Sequence, residues 1–126
     1  MVTIDEMEQM LDEMAGEFPE AFYKDLNGGI LLLPDEKLSP GAVADDLYIL
    51  GEYHRSRALG RYIVIYYGSF MQTSGHLSPA RLRKKLLDTL KHEFTHHLES
   101  LAGDRDLAIE DDRRMARYLR RHGRRP

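Results

Sequence analysis

Residues 91–100 read KHEFTHHLES, and the reading of this stretch decides the fold. It lies inside SPARLRKKLLDTLKHEFTHHLESLAG, where Leu82, Leu86, Leu90, Phe94, Leu98 and Leu101 recur at helical spacing. Ser78 is a good N-cap, Pro79 suits the first helical position, and Gly103 is the expected left-handed stop. On such a helix His92 and His96 stand four apart and share one face, so both imidazoles can reach one metal ion. Glu93 sits about 100° further round, beside the ion and not on it. Two imidazoles as ligands and a carboxylate that takes a proton from water are the parts of a zinc hydrolase site. With six histidines and ten glutamates, a chance HExxH arises in roughly 2% of such chains. The helical context is what lifts this one above chance.

His97, five residues from His92, points some 140° away and is expected to be structural and not a ligand. A catalytic zinc takes three protein ligands and keeps one position open. The chain has no cysteine, so the third ligand is histidine, aspartate or glutamate. Glu99 shares the histidine face but is carried away from the ion as the helix rises. The acidic segment GDRDLAIEDD, residues 103–112, is the better source if the chain folds back after Gly103. The return from Gly103 to His96 covers about 10 Å of helix. Three extended residues barely span that distance and eight span it easily. Asp106 is therefore permitted and Asp111 favoured.

The rest of the chain reads as short elements around this helix. TIDE at 3–6 is a capping box opening an amphipathic first helix with Ile4, Met7, Met10, Leu11, Met14 and Phe18 on one face. PEAFYKDL at 19–26 suggests a short second helix, and NGG at 27–29 a turn before a buried strand, ILLL. LYILGEYH, with a bulge at Gly51, and RYIVIYYGSF read as two strands paired in an antiparallel hairpin. A substrate strand could add to the second of these, where Tyr66 or Tyr67 could donate to an oxyanion, although an ordinary core position is the simpler explanation for either tyrosine. A last helix over Asp111–Arg121 would pack through Met115, Tyr118 and Leu119, and residues 119–126 form a basic, frayed tail.

One domain over residues 1–126 fits the length and the 42% hydrophobic and 31% charged content. Residues 1–54 hold 13 acids and two bases, and residues 55–126 hold 16 bases and eight acids. Mutual neutralisation across the fold accounts for this most simply. A single tyrosine, Tyr118, falls among the C-terminal arginines and makes no aromatic stacking pattern, so nucleic acid is not the favoured partner. The start of the chain lacks the basic and apolar regions of a signal peptide and no apolar run could span a membrane, so a cytoplasmic setting is expected.

The motif and its surroundings resemble the small bacterial zincin-like metallopeptidases of minimal zincin fold. That resemblance implies an α+β fold, with a small, mostly antiparallel sheet packed on the long HExxH helix and flanked by other helices. It implies Zn2+ bound by His92 and His96, Glu93 as the catalytic base, and peptide hydrolysis. The family pattern HExxHxxGxxD departs here, because the glycine follows His96 by seven residues instead of three. Counting from that glycine gives Asp106, and matching the following apolar and paired acidic residues gives Asp111. The alternative is a metal-binding adaptor whose basic C-terminus docks on RNA or an acidic protein, with little or no hydrolysis.

Overall fold

Thr3 opens α1 (Ile4–Ala15) with the expected capping box. Its hydroxyl accepts the Glu6 N–H at 3.1 Å, and the Glu6 carboxylate accepts the Thr3 N–H at 3.1 Å. Two of the donors that a helix start leaves unpaired are thereby satisfied. These coordinates are a computed structural model that describes residues 1–40 and 47–121, with side chains described as far as Asp104. Pro19 leads into a single 3-10 turn, Glu20–Tyr23, and not an α-helix. The chain leaves helical geometry at Lys24, and Asp25 then takes a positive φ of 60°.

The sheet has three strands: β1 (Gly29–Leu33), β2 (Gly51–Ser56) and β3 (Gly60–Tyr66). Their order is β1-β3-β2, with β1 parallel and β2 antiparallel to β3. The expected hairpin between β2 and β3 is present, with Gly51 opposite Ile65 and Ser56 opposite Gly60. The sheet as a whole is mixed, not mostly antiparallel, because the chain crosses β3 between β1 and β2. Strand composition could not reveal this, since β1 alone has no partner preference. β3 is therefore the central strand, and β2 forms one edge.

Gly51 is not a bulge. It is a point of close approach between β2 and α3: a Cβ there would stand 3.1 Å from both Ile65 Cδ1 and Thr89 Cγ2. RYIVIYYGSF is a strand only to Tyr66, and the chain then turns into α2 (Tyr67–Ser74). That helix escaped the sequence reading because its aromatic start continues the strand's composition. Its Phe70 is fully buried, and the Gly68 N–H donates to the Asp35 carbonyl at 3.1 Å, tying α2 to the exit of β1.

α3 (Pro79–Arg121) is one helix of 43 residues. Ser78 caps it, its hydroxyl accepting the Arg81 N–H at 3.3 Å. Leu82, Leu86, Leu90 and Phe94 lie on the core face with 1% exposure or less. The expected stop at Gly103 is overturned, for the helix runs through it and absorbs the separate last helix placed at Asp111–Arg121. Among the described glycines, only Gly29 and Gly60 have positive φ, so Gly103 makes no left-handed cap. Directly after it, Asp104 pairs with Arg61 and lies 3.7 Å from Arg55, which pins this turn to the β2–β3 hairpin.

Phe94 packs against Phe18, Tyr23 and Phe22 with ring centroids 4.7, 5.2 and 5.8 Å away. It thus locks the His92–His96 turn onto the N-terminal elements. Phe94→Ala should lower unfolding free energy by about 3–5 kcal/mol, measured by denaturant titration.

Candidate metal centre

Three consecutive faces of one helical turn set the site. His92 and His96 project to the outside and are exposed, whereas Glu93 is only 5% exposed and His97 is fully buried. The Nε2 atoms of His92 and His96 lie 3.1 Å apart, with the rings at 87° and centroids 4.6 Å apart. Two nitrogen ligands at zinc's usual bond length and tetrahedral angle would be separated by about 3.3 Å. The pair thus has the spacing and the donor chemistry of two ligands to one zinc ion.

Glu93 is held beside them with its carboxyl pushed above the ordinary range. Burial is the main cause; the charges of His92 and His96 pull it back down, Glu52 pushes it up, and His54 pulls it slightly down. No hydrogen bond from a described residue figures among these influences. A buried carboxylate with no hydrogen-bond partner among the described residues, next to two converging imidazoles, retains its capacity to accept a proton.

The turn faces an open cleft of about 720 Å³, bordered by α3 on one side and by Ile49, Gly51, Glu52 and Tyr53 on the other. A second hollow of about 430 Å³ continues it past Gly51 toward Thr89 and Lys85. The wall opposite the histidines is the edge strand β2. Tyr66 N–H donates to the Leu50 carbonyl at 2.9 Å, and Leu50 and Tyr66 continue the register that pairs Gly51 with Ile65. In an antiparallel ladder the bonded pairs alternate. The backbones of Leu50, Glu52 and His54 therefore face β3, and those of Gly51, Tyr53 and Arg55 face away from the sheet. The free sheet edge expected on RYIVIYYGSF thus lies on β2 instead, because β3 has strands on both sides.

Neither tyrosine singled out in the sequence is brought to the histidine pair. The Tyr66 hydroxyl donates to Glu52 Oε1 at 2.6 Å, and the Tyr67 hydroxyl donates to the Val2 carbonyl at 2.7 Å. Glu52 Oε1 also accepts from Lys37 at 2.6 Å and lies 3.2 Å from His54 Nε2. Burial pushes the Glu52 carboxyl up, but the donors Lys37, Tyr66 and His54 outweigh it and hold it below the ordinary range. Glu52 and Tyr53 were missed as cleft residues; the glycine inside their strand, a sign of close approach by another element, was the available signal.

No third histidine, aspartate or glutamate joins His92 and His96 as a metal group among the described residues. Asp104 is occupied by Arg61 and Arg55. The side chains of Asp106 and Asp111, and those of the C-terminal arginines, lie outside the described residues. Their route to the ion, however, depended on the chain folding back after Gly103. On the continuous α3, the backbones of Asp106 and Asp111 lie about 15 and 22 Å beyond His96 along the axis.

No family model matches the chain, and no curated protein matches it. Among solved structures it is similar to a conserved hypothetical protein from Thermus thermophilus, with 34% identity and a TM-score of 0.69. The match covers 80% of this chain and 98% of that one. The chain belongs to the same family as that protein.

Proposed function

We propose that the protein is a zinc-dependent hydrolase of minimal zincin type, acting on peptides. The observation that carries this reading is the 3.1 Å convergence of the His92 and His96 Nε2 atoms beside the buried Glu93. His92 and His96 would supply two of the three protein ligands that a catalytic zinc takes, and no third is found among the described residues. Bound there, zinc supplies Lewis acidity and brings the pKa of water to about 7. Glu93 accepts a proton at its carboxylate from the attacking water and returns it to the departing amine. Burial supports both halves of that role, since it raises the carboxyl toward the working pH. The outward backbone groups of Gly51, Tyr53 and Arg55 pair with an extended substrate segment, which lies over His92 and Glu93 in the cleft. An open, shallow cleft of this kind suits a flexible segment of polypeptide. No helix among the described residues is long and apolar enough to cross a membrane.

Hydrolysis of casein, an unstructured polypeptide, provides the test. Zinc-loaded protein should cleave it, a chelator should abolish cleavage, and added zinc should restore it. Cleavage that persists in excess chelator would refute the reading.

The continuous α3 makes a separate prediction for the acidic segment. Asp106→Ala and Asp111→Ala should each change zinc affinity less than about threefold, measured by competition with a chromophoric chelator. A loss of about tenfold or more in Asp111→Ala, the scale on which a contact to the site matters, would show that the chain opens at Gly103 and returns to the site.

A further inference from the structure

His97, the second histidine of THH, has both ring nitrogens engaged in the interior. Its Nε2 lies 2.8 Å from the Lys24 carbonyl and its Nδ1 lies 2.8 Å from the Tyr53 hydroxyl. A carbonyl only accepts, so Nε2 carries the proton and donates. Nδ1 then presents a lone pair, and the Tyr53 hydroxyl donates to it. The ring is fully buried, so each of these bonds is made in a region where an unpaired polar atom is costly.

Tyr53 is also the middle residue of the three whose backbone groups face outward from the edge of β2, and it lines the cleft with His96. One hydrogen bond therefore joins the strand that would pair with substrate to the helical turn that carries Glu93 and His96. Gly51 brings β2 close to α3 at Thr89; the Tyr53–His97 bond fixes it a further two turns along. The gap between the strand edge and the carboxylate is then set at both ends.

We propose that Tyr53 and His97 are positioning residues, which hold the substrate-pairing edge of β2 in register with Glu93. The proposal rests on the reading of the cleft as a peptidase site. A displacement of about 1 Å between a bound group and the reacting atoms can cost on the order of 100-fold in rate, so loosening this link should lower kcat more than it alters zinc binding.

The test uses zinc-loaded full-length protein with fluorescein-labelled casein as the probe, well below each variant's unfolding temperature and with zinc content measured. Tyr53→Phe removes the donor. His97→Gln retains an amide near the Nε2 position and loses the bond to Tyr53, whereas His97→Asn retains one near Nδ1 and keeps it. Tyr53→Phe and His97→Gln should each lower kcat by about tenfold or more with zinc content unchanged. The double variant should lose no more than the more impaired of the two singles, because both changes cut one link. His97→Asn should stay within about threefold of wild type.

An unimpaired kcat in Tyr53→Phe beside an active wild type would overturn this proposal alone. So would a loss in His97→Asn as large as that in His97→Gln, which would reduce the role of His97 to stability. Zinc-loaded wild type that leaves casein intact would overturn the peptidase reading and this proposal with it.

Discussion

Glu93→Gln is expected to reduce hydrolysis by about 10²–10⁴-fold while the protein keeps its zinc, because a general base contributes on that scale. Glutamine preserves the shape of the side chain and removes only its capacity to take a proton. Glu93 is 5% exposed and forms no metal group with His92 and His96 among the described residues, so zinc retention should not change. Metal content and casein cleavage, measured on the same preparation, separate the two effects. Zinc lost in proportion to activity would place Glu93 in the coordination shell instead.

The same substitution should alter stability with a definite pH dependence. Burial raises the Glu93 carboxyl, so the folded chain holds that proton more tightly than the unfolded chain does. The stability this group contributes is fully present below the ordinary carboxyl range and is lost as pH rises through the raised value. Metal-free Glu93→Gln should therefore melt above wild type at pH 7, and the difference should vanish below about pH 4. Thermal unfolding at both pH values checks the sign.

Replacing His92 or His96 by alanine is expected to weaken zinc binding by more than about 100-fold, beyond what the loss of a contact behind the ligands costs. The geometry explains the size. The two Nε2 atoms converge to 3.1 Å at the cleft, and no other histidine or carboxylate among the described residues completes a metal group with either. One imidazole alone leaves a solvated ion with little reason to stay. Imidazole ligates zinc only in its neutral form, so acid should release the ion from wild type. Retention that is flat between pH 8 and pH 4.5 would argue against imidazole ligands.

Features written in local chemistry were legible before any coordinates. The Thr3–Glu6 capping box, the Leu82–Leu86–Leu90–Phe94 stripe and the β2–β3 hairpin all depend on neighbours in sequence, and all are present. His92, Glu93 and His96 fall on one turn for the same reason. Features set by distant contacts were not legible. The parallel pairing of β1 needs a crossover that no residue in ILLLP announces. α2 begins at a second tyrosine that continues the strand's composition, and its identity rests on burying Phe70. Gly103 looks like a helix stop, but Asp104 just beyond it is held by Arg61 and Arg55 from the hairpin, and the helix continues. His97 could be assigned to the interior from its angle alone, whereas its partners, Tyr53 and the Lys24 carbonyl, lie 44 and 73 residues away in sequence.

The zinc K-edge absorption spectrum of the loaded protein tests the central claim most directly. About one zinc per chain is predicted, with the multiple-scattering signature of two imidazoles and nitrogen ligands at about 2.0–2.1 Å, and with no zinc retained by the His92→Ala, His96→Ala double variant. A spectrum without imidazole scattering, or zinc that remains bound at the same stoichiometry in the double variant, would contradict the account.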